Sequence, residues 1–408
     1  MKKISRRSFL QASALSAAAA ALTACGQSVT AASTASSAAA STASSAAASA
    51  AADVMKIGFI YIGDDSEAYT ANFIAAETAI KEKYGSAVTT IPKYKVAEDG
   101  AESPLRELCE AGCKLIFTTS FGYGDITKEV AAEYPDVQFC QATQVNASED
   151  VPNYHTYMGY IYQGRYTAGI VAGMKLKELI DAGTITADQA KIGYVGAFAY
   201  AEVISGYTAF FLGVRSIVDT ATMEVQYAGT WGDYDTEKAM ATALIDNGCV
   251  LLSQHSDTKG PAVACKDSTD AGKPIFCVCY NQDMISVAPQ CCLISSRIDW
   301  SPYELEAVQA VMDGKDLPMD EGAGFDKGWV AMTDLNTDIA AAGTQDAIDA
   351  AIAGFKAGTI DVYKGNYTGV NYEGKTIDLN QGYTENATQS APAFDYVLND
   401  VITVDSTN

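Results

Sequence analysis

From residue 55 onwards, short apolar runs alternate with longer segments whose apolar residues recur every three or four positions. The short runs, such as 55–62 and 114–119, predict buried strands, and the longer segments, such as 70–84, predict helices. Strands that alternate with helices indicate βαβ units, right-handed crossovers and a parallel sheet. Because the alternation restarts with a helix over 164–181, the pattern predicts two similar α/β lobes.

Polar and aromatic residues collect where the apolar runs stop. The run 250–253 is followed by Gln254-His-Ser-Asp257, and the run 274–279 by Tyr280-Asn-Gln-Asp283. In an open α/β sheet the ligand crevice lies beyond the carboxyl ends of the strands. These two strand ends therefore predict one wall of a small-molecule cleft. Aromatic rings at other strand ends suit a flat, partly apolar ligand whose polar edge is held by Asp and Asn side chains.

The net charge of the chain bears on its partners and on its location. Among 408 residues there are 27 Lys and Arg against 50 Asp and Glu, which gives a net charge of −23. Nucleic-acid affinity depends on Lys and Arg that neutralise phosphates, so this balance argues against a nucleic-acid partner. A strongly acidic chain instead suits a soluble protein body outside the cytoplasm, kept apart from its copies by self-repulsion.

The N-terminal residues resemble an export signal. Ser5-Arg-Arg-Ser-Phe-Leu10 resembles a twin-arginine signal, although general secretion remains an alternative route. The following Leu22-Thr-Ala-Cys25-Gly26 resembles a bacterial lipobox, in which cleavage leaves Cys25 as the lipid-bearing first residue. Residues 26–53 are rich in Ala, Ser and Thr and predict a flexible tether. The expected location is the extracytoplasmic face of the cell membrane, reached through a lipid anchor.

The ten cysteines predict neither a metal site nor another cofactor. Cys277 and Cys279 lie two apart on an apolar strand, and Cys109 and Cys113 lie one helical turn apart. No Cys-x-x-Cys spacing accompanies them, and the chain holds only two histidines, so the spacings typical of zinc sites are missing. Buried thiols are therefore the interpretation that the pattern favours.

His255 also invites a catalytic hypothesis, because Asp257 and Ser253 are its neighbours in sequence. A surface hydrolase would use such residues as a triad, but the chain lacks the G-x-S-x-G turn. His255 and Asp257 also belong to one loop instead of coming from separate elements. The pattern thus favours binding over catalysis, and the protein is not expected to be an enzyme.

Several motifs resemble those of the basic membrane protein (Bmp) family of ABC-transporter substrate-binding lipoproteins. The main one is Ala201-Glu-Val-Ile-Ser-Gly-Tyr-Thr-Ala-Phe-Phe-Leu-Gly-Val-Arg215. Shorter motifs follow in the same order: Thr230-Trp-Gly-Asp233, Ser253-Gln-His-Ser-Asp257, Tyr280-Asn-Gln-Asp-Met284 and Asp299-Trp-Ser-Pro-Tyr303. The resemblance implies a type I periplasmic-binding-protein fold, in which two Rossmann-like lobes with parallel sheets are joined by hinge strands and close on a ligand.

The family resemblance also implies a ligand and a partner. Known ligands of the family are mostly purine bases or nucleosides, delivered to an ABC transporter permease. Combined with the strand-end pattern, it predicts a ligand-binding set of Tyr61, Asp65, Tyr69, Ser120, Phe121, Tyr160, Phe198, Trp231, His255, Asp257, Tyr280, Asn281 and Asp283. Nucleoside-binding members carry Asp-x-Ser-Phe-Asn after the first strand, where this chain has Asp65-Ser-Glu-Ala-Tyr69. A free base, a sugar or another small polar ligand therefore stays open.

The domain organisation follows from the two runs of alternation. We expect a signal peptide over 1–25, the tether over 26–53, and an N-terminal lobe over 54–160 plus about 297–325. A C-terminal lobe is expected over 161–296 plus about 326–366, and a polar C-terminal extension over 367–408.

Overall fold

The computed structural model describes residues 54–405. The predicted signal peptide with its lipidation residue Cys25, and the predicted tether over 26–53, lie outside the described residues. Among the described residues, no helix combines the length and the apolar character needed to span a bilayer.

The first part of the chain alternates strands and helices as the pattern predicts. Its elements are β1 (Met55–Ile60), α1 (Ala68–Tyr84), β2 (Val88–Lys93), α2 (Glu102–Glu110), β3 (Leu115–Thr118), α3 (Gly124–Glu133), β4 (Gln138–Ala142) and β5 (Tyr154–Gly159). The alternation then restarts with α4 (Ile161–Asp181), β6 (Lys191–Gly196), α5 (Ala201–Arg215), β7 (Thr222–Tyr227), α6 (Tyr234–Asp246), β8 (Leu251–His255), α7 (Gly260–Asp270) and β9 (Phe276–Tyr280).

The rest of the chain returns to both halves. It forms β10 (Cys292–Ile298), α8 (Ser301–Asp313), β11 (Asp320–Ala323), β12 (Val330–Met332), α9 (Thr344–Lys356), β13 (Thr368–Val370), β14 (Thr376–Asp378), β15 (Val397–Leu398) and β16 (Ile402–Asp405). β11 has acidic residues in place of an apolar run, and the sequence pattern did not predict it as a strand.

The strands form two large sheets. The first has the order β11-β5-β4-β3-β1-β2, and every neighbouring pair in it is parallel. The second has the order β12-β10-β9-β8-β6-β7-β16 and is parallel except for the β10–β12 pair. Apolar cores cover both faces of each sheet, as parallel sheets require. The predicted α/β fold with two parallel sheets is confirmed.

Three connections run side by side between the sheets. They are Tyr160 between β5 and α4, residues 299–300 between β10 and α8, and residues 324–329 between β11 and β12. The Tyr160 backbone N–H donates to Ala323 O at 2.7 Å, and the Asp299 N–H donates to Trp329 O at 2.8 Å. The three connections are thus hydrogen-bonded to one another, as hinge strands between two lobes would be.

The C-terminal segment is joined to the second sheet. β16 pairs in parallel with β7, from Ile402 opposite Met223 to Asp405 opposite Gln226. The remaining strands β13, β14 and β15 form a small antiparallel sheet. The polar composition of 367–408 predicted only surface strands or coil, because four residues with two apolar side chains give too weak a periodic signal.

Candidate ligand-binding site

A small cavity lies where the carboxyl ends of the two sheets face each other. It is lined by Ile62, Tyr69, Ser120, Phe121, Thr143, Glu202, Trp231, His255, Asp257 and Tyr280. These side chains come from strand ends, from the loops that follow them, or from the first turns of helices. This is the position at which open α/β sheets bind ligands. The free space between these side chains is about 20 Å³, which is room for about one water molecule, so the cavity is nearly closed.

Aromatic side chains from both sheets meet at one side of the cavity. We call Phe121, Phe198, Tyr200 and Trp231 the aromatic cluster. The ring centroids of Phe121 and Tyr200 are 5.5 Å apart, those of Phe198 and Tyr200 5.0 Å, and those of Phe198 and Trp231 5.4 Å. Phe121 and Tyr200 are still 40% and 43% exposed, so the cluster lies at the surface beside the cavity.

Asp257 is buried beside the cavity and is held by residues of both lobes. Asn281 Nδ2 donates to Asp257 Oδ1 at 3.3 Å, and Asn72 Nδ2 of α1 donates to Asn281 Oδ1 at 3.3 Å. The Asp257 backbone also joins both sides, since its N–H donates to Trp231 O and its carbonyl accepts from the Ala68 N–H. Burial, and then the nearby Glu237, raise the pKa of Asp257 well above its usual value.

His255 is a neutral base in a tightly packed position. Burial, and then the positive charge of Arg165, lower the pKa of its imidazole to about 4. Its Nε2 lies 3.4 Å from Glu202 Oε1, whereas its buried Nδ1 has no hydrogen-bond partner among the described residues. Gly206 of α5 leaves room for the ring, because a Cβ there would lie 2.7 Å from Nδ1.

Arg165 lies behind the cavity wall and fixes the Tyr280 ring. Its guanidinium carbon lies 3.5 Å from the Tyr280 ring centroid, and Nη1 donates to Gln254 O at 2.8 Å. A buried cation stacked on an aromatic face in this way holds the ring in place. Tyr280 in turn contacts the His255 ring at 4.9 Å between centroids, so the three side chains form one packed group.

Two residues at the strand ends adopt a left-handed backbone. Thr143 follows β4 and Asn281 follows β9, and each has a φ of 68°. This conformation is costly for a β-branched residue such as Thr143, and such strain gathers at functional sites. Thr143 lines the cavity, and its buried hydroxyl has no hydrogen-bond partner among residues 54–405.

The structure brings only part of the predicted set to the cavity. Tyr69, Ser120, Phe121, Trp231, His255, Asp257 and Tyr280 line it. Phe198 belongs to the aromatic cluster, where it contacts Trp231, but it does not line the cavity. Asn281 is hydrogen-bonded to Asp257 and does not line the cavity either.

The other four predicted residues do not line the cavity. Tyr61 is fully buried and donates its hydroxyl proton to Glu77 Oε2 of α1 at 3.0 Å. Side chains alternate along an extended chain, so it is the next residue, Ile62, that reaches the cavity. Asp65 and Asp283 are exposed in loops, and Tyr160 packs beside Gly322 at a connection between the sheets.

Three cavity residues were missed by the sequence analysis: Ile62, Thr143 and Glu202. Glu202 belongs to the motif Ala201–Arg215 but had not been selected, although it opens a helix directly after a strand end. Arg165 behind the wall was also missed. The sequence pattern that could have identified it is a charged residue at helical spacing from Ile161 and Ala168, on the buried face of α4.

The described residues give no hydrogen-bonded Ser–His–Asp chain at this site. The side-chain contacts of His255 and Asp257 run to Glu202 and Asn281 and not to each other. Ser253, the serine of the catalytic hypothesis, is buried, and its hydroxyl has no hydrogen-bond partner among residues 54–405. The hydrogen bonds of a Ser–His–Asp triad are therefore not formed by Ser253, His255 and Asp257 in the described part of the chain.

Similar proteins of known structure share this fold. A solute-binding protein of an ABC transporter system from Aeropyrum pernix is 16% identical, with a TM-score of 0.61 over 75% of this chain and 87% of that one. One from Conexibacter woesei is 18% identical, with a TM-score of 0.59 over 75% of this chain and 97% of that one. At these identities the likeness concerns the fold.

Two relatives are closer in sequence. A purine-binding protein from Brucella abortus is 34% identical over 262 residues, which are 64% of this chain and 69% of that protein. A putative ABC transporter glucose-binding protein from Haloferax volcanii is 33% identical over 239 residues, which are 59% of this chain but only 56% of that protein.

Two sequence families match the chain. Residues 3–23 match the signal sequence of the twin-arginine translocation pathway, in agreement with the predicted export signal. Residues 67–353 match the Bmp family, described as ABC transporter substrate-binding protein PnrA-like. The chain therefore belongs to this family of extracytoplasmic ABC transporter substrate-binding proteins.

Proposed function

We propose that this protein captures a purine base or nucleoside in the cavity between its two sheets and delivers it, unchanged, to an ABC importer. The observation that carries the proposal is the pairing of two chemistries around one small cavity. The aromatic cluster offers faces for a flat ring, and Asp257, supported by Asn281, offers a polar group for the edge of that ring. The purine-binding relative from Brucella abortus supports the same class of ligand.

The edge of a purine suits Asp257. Adenine presents an amino donor beside a ring-nitrogen acceptor on one edge. A carboxyl group whose pKa is raised can accept from the amino group and donate its own proton to the ring nitrogen. The side-chain amide of Asn281 accepts a hydrogen bond from Asn72 and donates one to Asp257. Its role is therefore to orient the carboxyl group of Asp257.

Capture is proposed to work by closure of the two lobes. Each sheet with its helices forms one lobe, and the three hydrogen-bonded connections act as the hinge. In the closed arrangement Phe121 packs on Tyr200, and Asn72 reaches Asn281. Opening breaks these few contacts and no covalent bond, so the ligand enters and leaves through the same gap.

The membrane attachment is proposed to be a lipid on Cys25, followed by the tether over 26–53. Detergent phase partitioning of cells that express the full chain tests it. The wild-type protein is expected in the detergent phase, and a Cys25→Ser variant in the aqueous phase. A wild-type protein recovered only from the aqueous phase would contradict the anchor.

Calorimetric titration of the Cys25→Ser protein tests the ligand class. Adenine, adenosine, guanosine and inosine are each titrated, and at least one is expected to bind with measurable heat and to raise the melting temperature. No heat and no stabilisation with any of the four would reject a purine ligand.

A sugar is the second candidate ligand. The Haloferax volcanii relative is named as a putative glucose-binding protein, and a sugar stacks one face on a single ring while donating many hydrogen bonds. Glucose in the same calorimeter distinguishes the two proposals. Chromatography of the titrated nucleosides adds a further check, because release of free base would indicate the hydrolase that the absence of a triad argues against.

A further inference from the structure

One apolar core of the second sheet is unusually rich in thiols. Cys249, Cys265, Cys277, Cys279, Cys291 and Cys292 all belong to it, packed between the sheet and helices α6 and α7. The nine cysteines of the described residues are all buried and unpaired. Burial agrees with the interpretation drawn from the sequence, but the spacing of the cysteines gave no sign that several of them share one site.

Three of these thiols converge, and we call Cys277, Cys279 and Cys292 the thiol trio. Cys277 and Cys279 point to the same face of β9 because they are two residues apart. Cys292 opens the neighbouring strand β10 directly opposite Cys277. The Sγ atoms of Cys277 and Cys279 are 3.6 Å apart, those of Cys279 and Cys292 3.7 Å, and all three lie within 4.8 Å of one another.

These separations match those of sulfur ligands around one metal ion. Metal–thiolate bonds of about 2.3 Å place the sulfur atoms of a trigonal or tetrahedral site about 3.8 to 4.0 Å apart. A disulfide between Cys277 and Cys279 is disfavoured, because residues two apart on a strand have Cα atoms about 6.6 Å apart, near the upper limit for such a bond. The trio is therefore arranged for a shared ion.

We propose that the thiol trio binds a single thiophilic metal ion, and that Cu(I) is the ion it favours. Soft thiolates select Cu(I) and Zn(II) among biological metals. Cu(I) is satisfied by three thiolates, whereas structural Zn(II) requires four ligands. Among residues 54–405, no fourth His, Cys, Asp or Glu side chain lies close to all three thiols. Cys265 lies beside Cys277. Each thiol that binds the ion loses its proton, so binding releases protons and weakens as the pH falls.

The primary test uses the reduced Cys25→Ser protein without oxygen. Cu(I) is added in the presence of a competing Cu(I) chelator, and the copper retained by the protein is counted. One Cu(I) per chain is expected, with X-ray absorption showing three sulfur ligands. Failure to retain copper, or a site with fewer than three sulfur atoms, would overturn the proposal without recourse to any variant.

Variants then locate the site. Cys279→Ser removes the thiol that makes both short contacts and is expected to weaken Cu(I) binding at least about a hundredfold. Cys249→Ser is the matched control, since Cys249 belongs to the same core but not to the trio. Equal loss in both variants would assign the effect to the core and contradict the trio. If Cys279→Ser does not fold, the wild-type ligand count decides alone.

A zinc titration distinguishes the two ions. If Zn(II) binds by recruiting Cys265, Cys265→Ser is expected to abolish Zn(II) binding and to leave Cu(I) binding unchanged. Strong Zn(II) binding with no Cu(I) binding would overturn the assignment to Cu(I). Purine binding is measured in parallel in the metal-loaded protein, so a failure of the proposed ligand and a failure of the metal site remain distinguishable.

Discussion

The two walls of the cavity differ in their chemistry. The wall from the first lobe consists of Ile62, Tyr69, Ser120, Phe121 and Thr143, all of them uncharged side chains. The wall from the second lobe holds Glu202, His255 and Asp257, together with Trp231 and Tyr280, and Arg165 lies behind it. The first lobe therefore contributes uncharged side chains, three of them with hydroxyl groups, and the second lobe contributes the carboxyl and imidazole groups of the cavity.

The difference has a structural cause. His255 and Asp257 of the second wall are buried, and burial lowers the pKa of the His255 imidazole and raises the pKa of the Asp257 carboxyl group, so the fold sets the protonation of both groups. The first lobe contacts this part of the second lobe through α1, where Asn72 Nδ2 donates to Asn281 Oδ1 and the Ala68 backbone N–H donates to Asp257 O. We infer that a ligand docks first on the second lobe and that the first lobe closes over it.

Asp257→Ala should have the largest effect on binding. It removes the carboxyl group that faces the ligand and leaves Asn281 Nδ2 without its acceptor. A buried hydrogen-bonding group left without its partner costs about 1 to 3 kcal/mol, so affinity for the purine identified by calorimetry should fall by about fivefold to about a hundredfold. Asp283→Ala, at an exposed carboxylate that the sequence analysis also selected, is the matched control. Equal losses in both would contradict the role given to the second wall.

Trp231→Ala should weaken binding by about tenfold, since stacking of a base on an aromatic ring is worth about 1 to 3 kcal/mol. Calorimetry with the same purine measures it. Tyr372→Ala removes an aromatic ring that is 63% exposed outside the cavity, and it should leave affinity unchanged. An unaltered affinity in Trp231→Ala would remove stacking from the proposed mechanism.

Glu237→Gln should change how stability depends on pH. Burial raises the pKa of Glu237 from 4.5 to about 7, although Thr258 and Ser256 donate to it. The folded state therefore binds more protons than the unfolded state, and stability from this group is lost as pH rises from about 4.5 to about 7. Glutamine imitates the protonated acid, so urea unfolding should show the variant gaining about 1 to 3 kcal/mol on wild type between about pH 5 and about pH 8.

Glu110→Gln, at an exposed carboxylate, is the control for that measurement. Parallel stability curves for wild type and Glu237→Gln would show that Glu237 ionises as freely in the fold as in the unfolded chain. The protonation control described for the second wall would then be wrong.

Phe121→Ala should have the smallest effect. It removes an apolar contact of the first wall with Tyr200, at a side chain that is 40% exposed. We expect affinity to fall only about threefold, mainly through faster release, because closure and not recognition is weakened. Stopped-flow dissociation measures the rate. A loss larger than that of Asp257→Ala would reverse the comparison between the walls.

Much of the fold was predictable because it depends on local periodicity. Buried strands such as β3 and β9 are largely apolar runs, and the helices show a repeat of three to four residues. The predicted strand ends also include His255, Asp257 and Tyr280, and the structure places all three beside the cavity, because the carboxyl ends of parallel strands meet at one edge. β11 and β16 were missed, since each depends on a partner strand distant in sequence.

The sequence by itself thus determined the alternation of elements, the family motifs and the edge of the sheets at which the cavity lies. Only the tertiary structure decided that Ile62 and not Tyr61 faces the cavity, that Arg165 lies under Tyr280, and that Cys277, Cys279 and Cys292 converge. Periodicity is a property of neighbours along the chain. Which side of a strand end faces a gap, and which buried side chains meet across strands, depends on register and packing between distant segments.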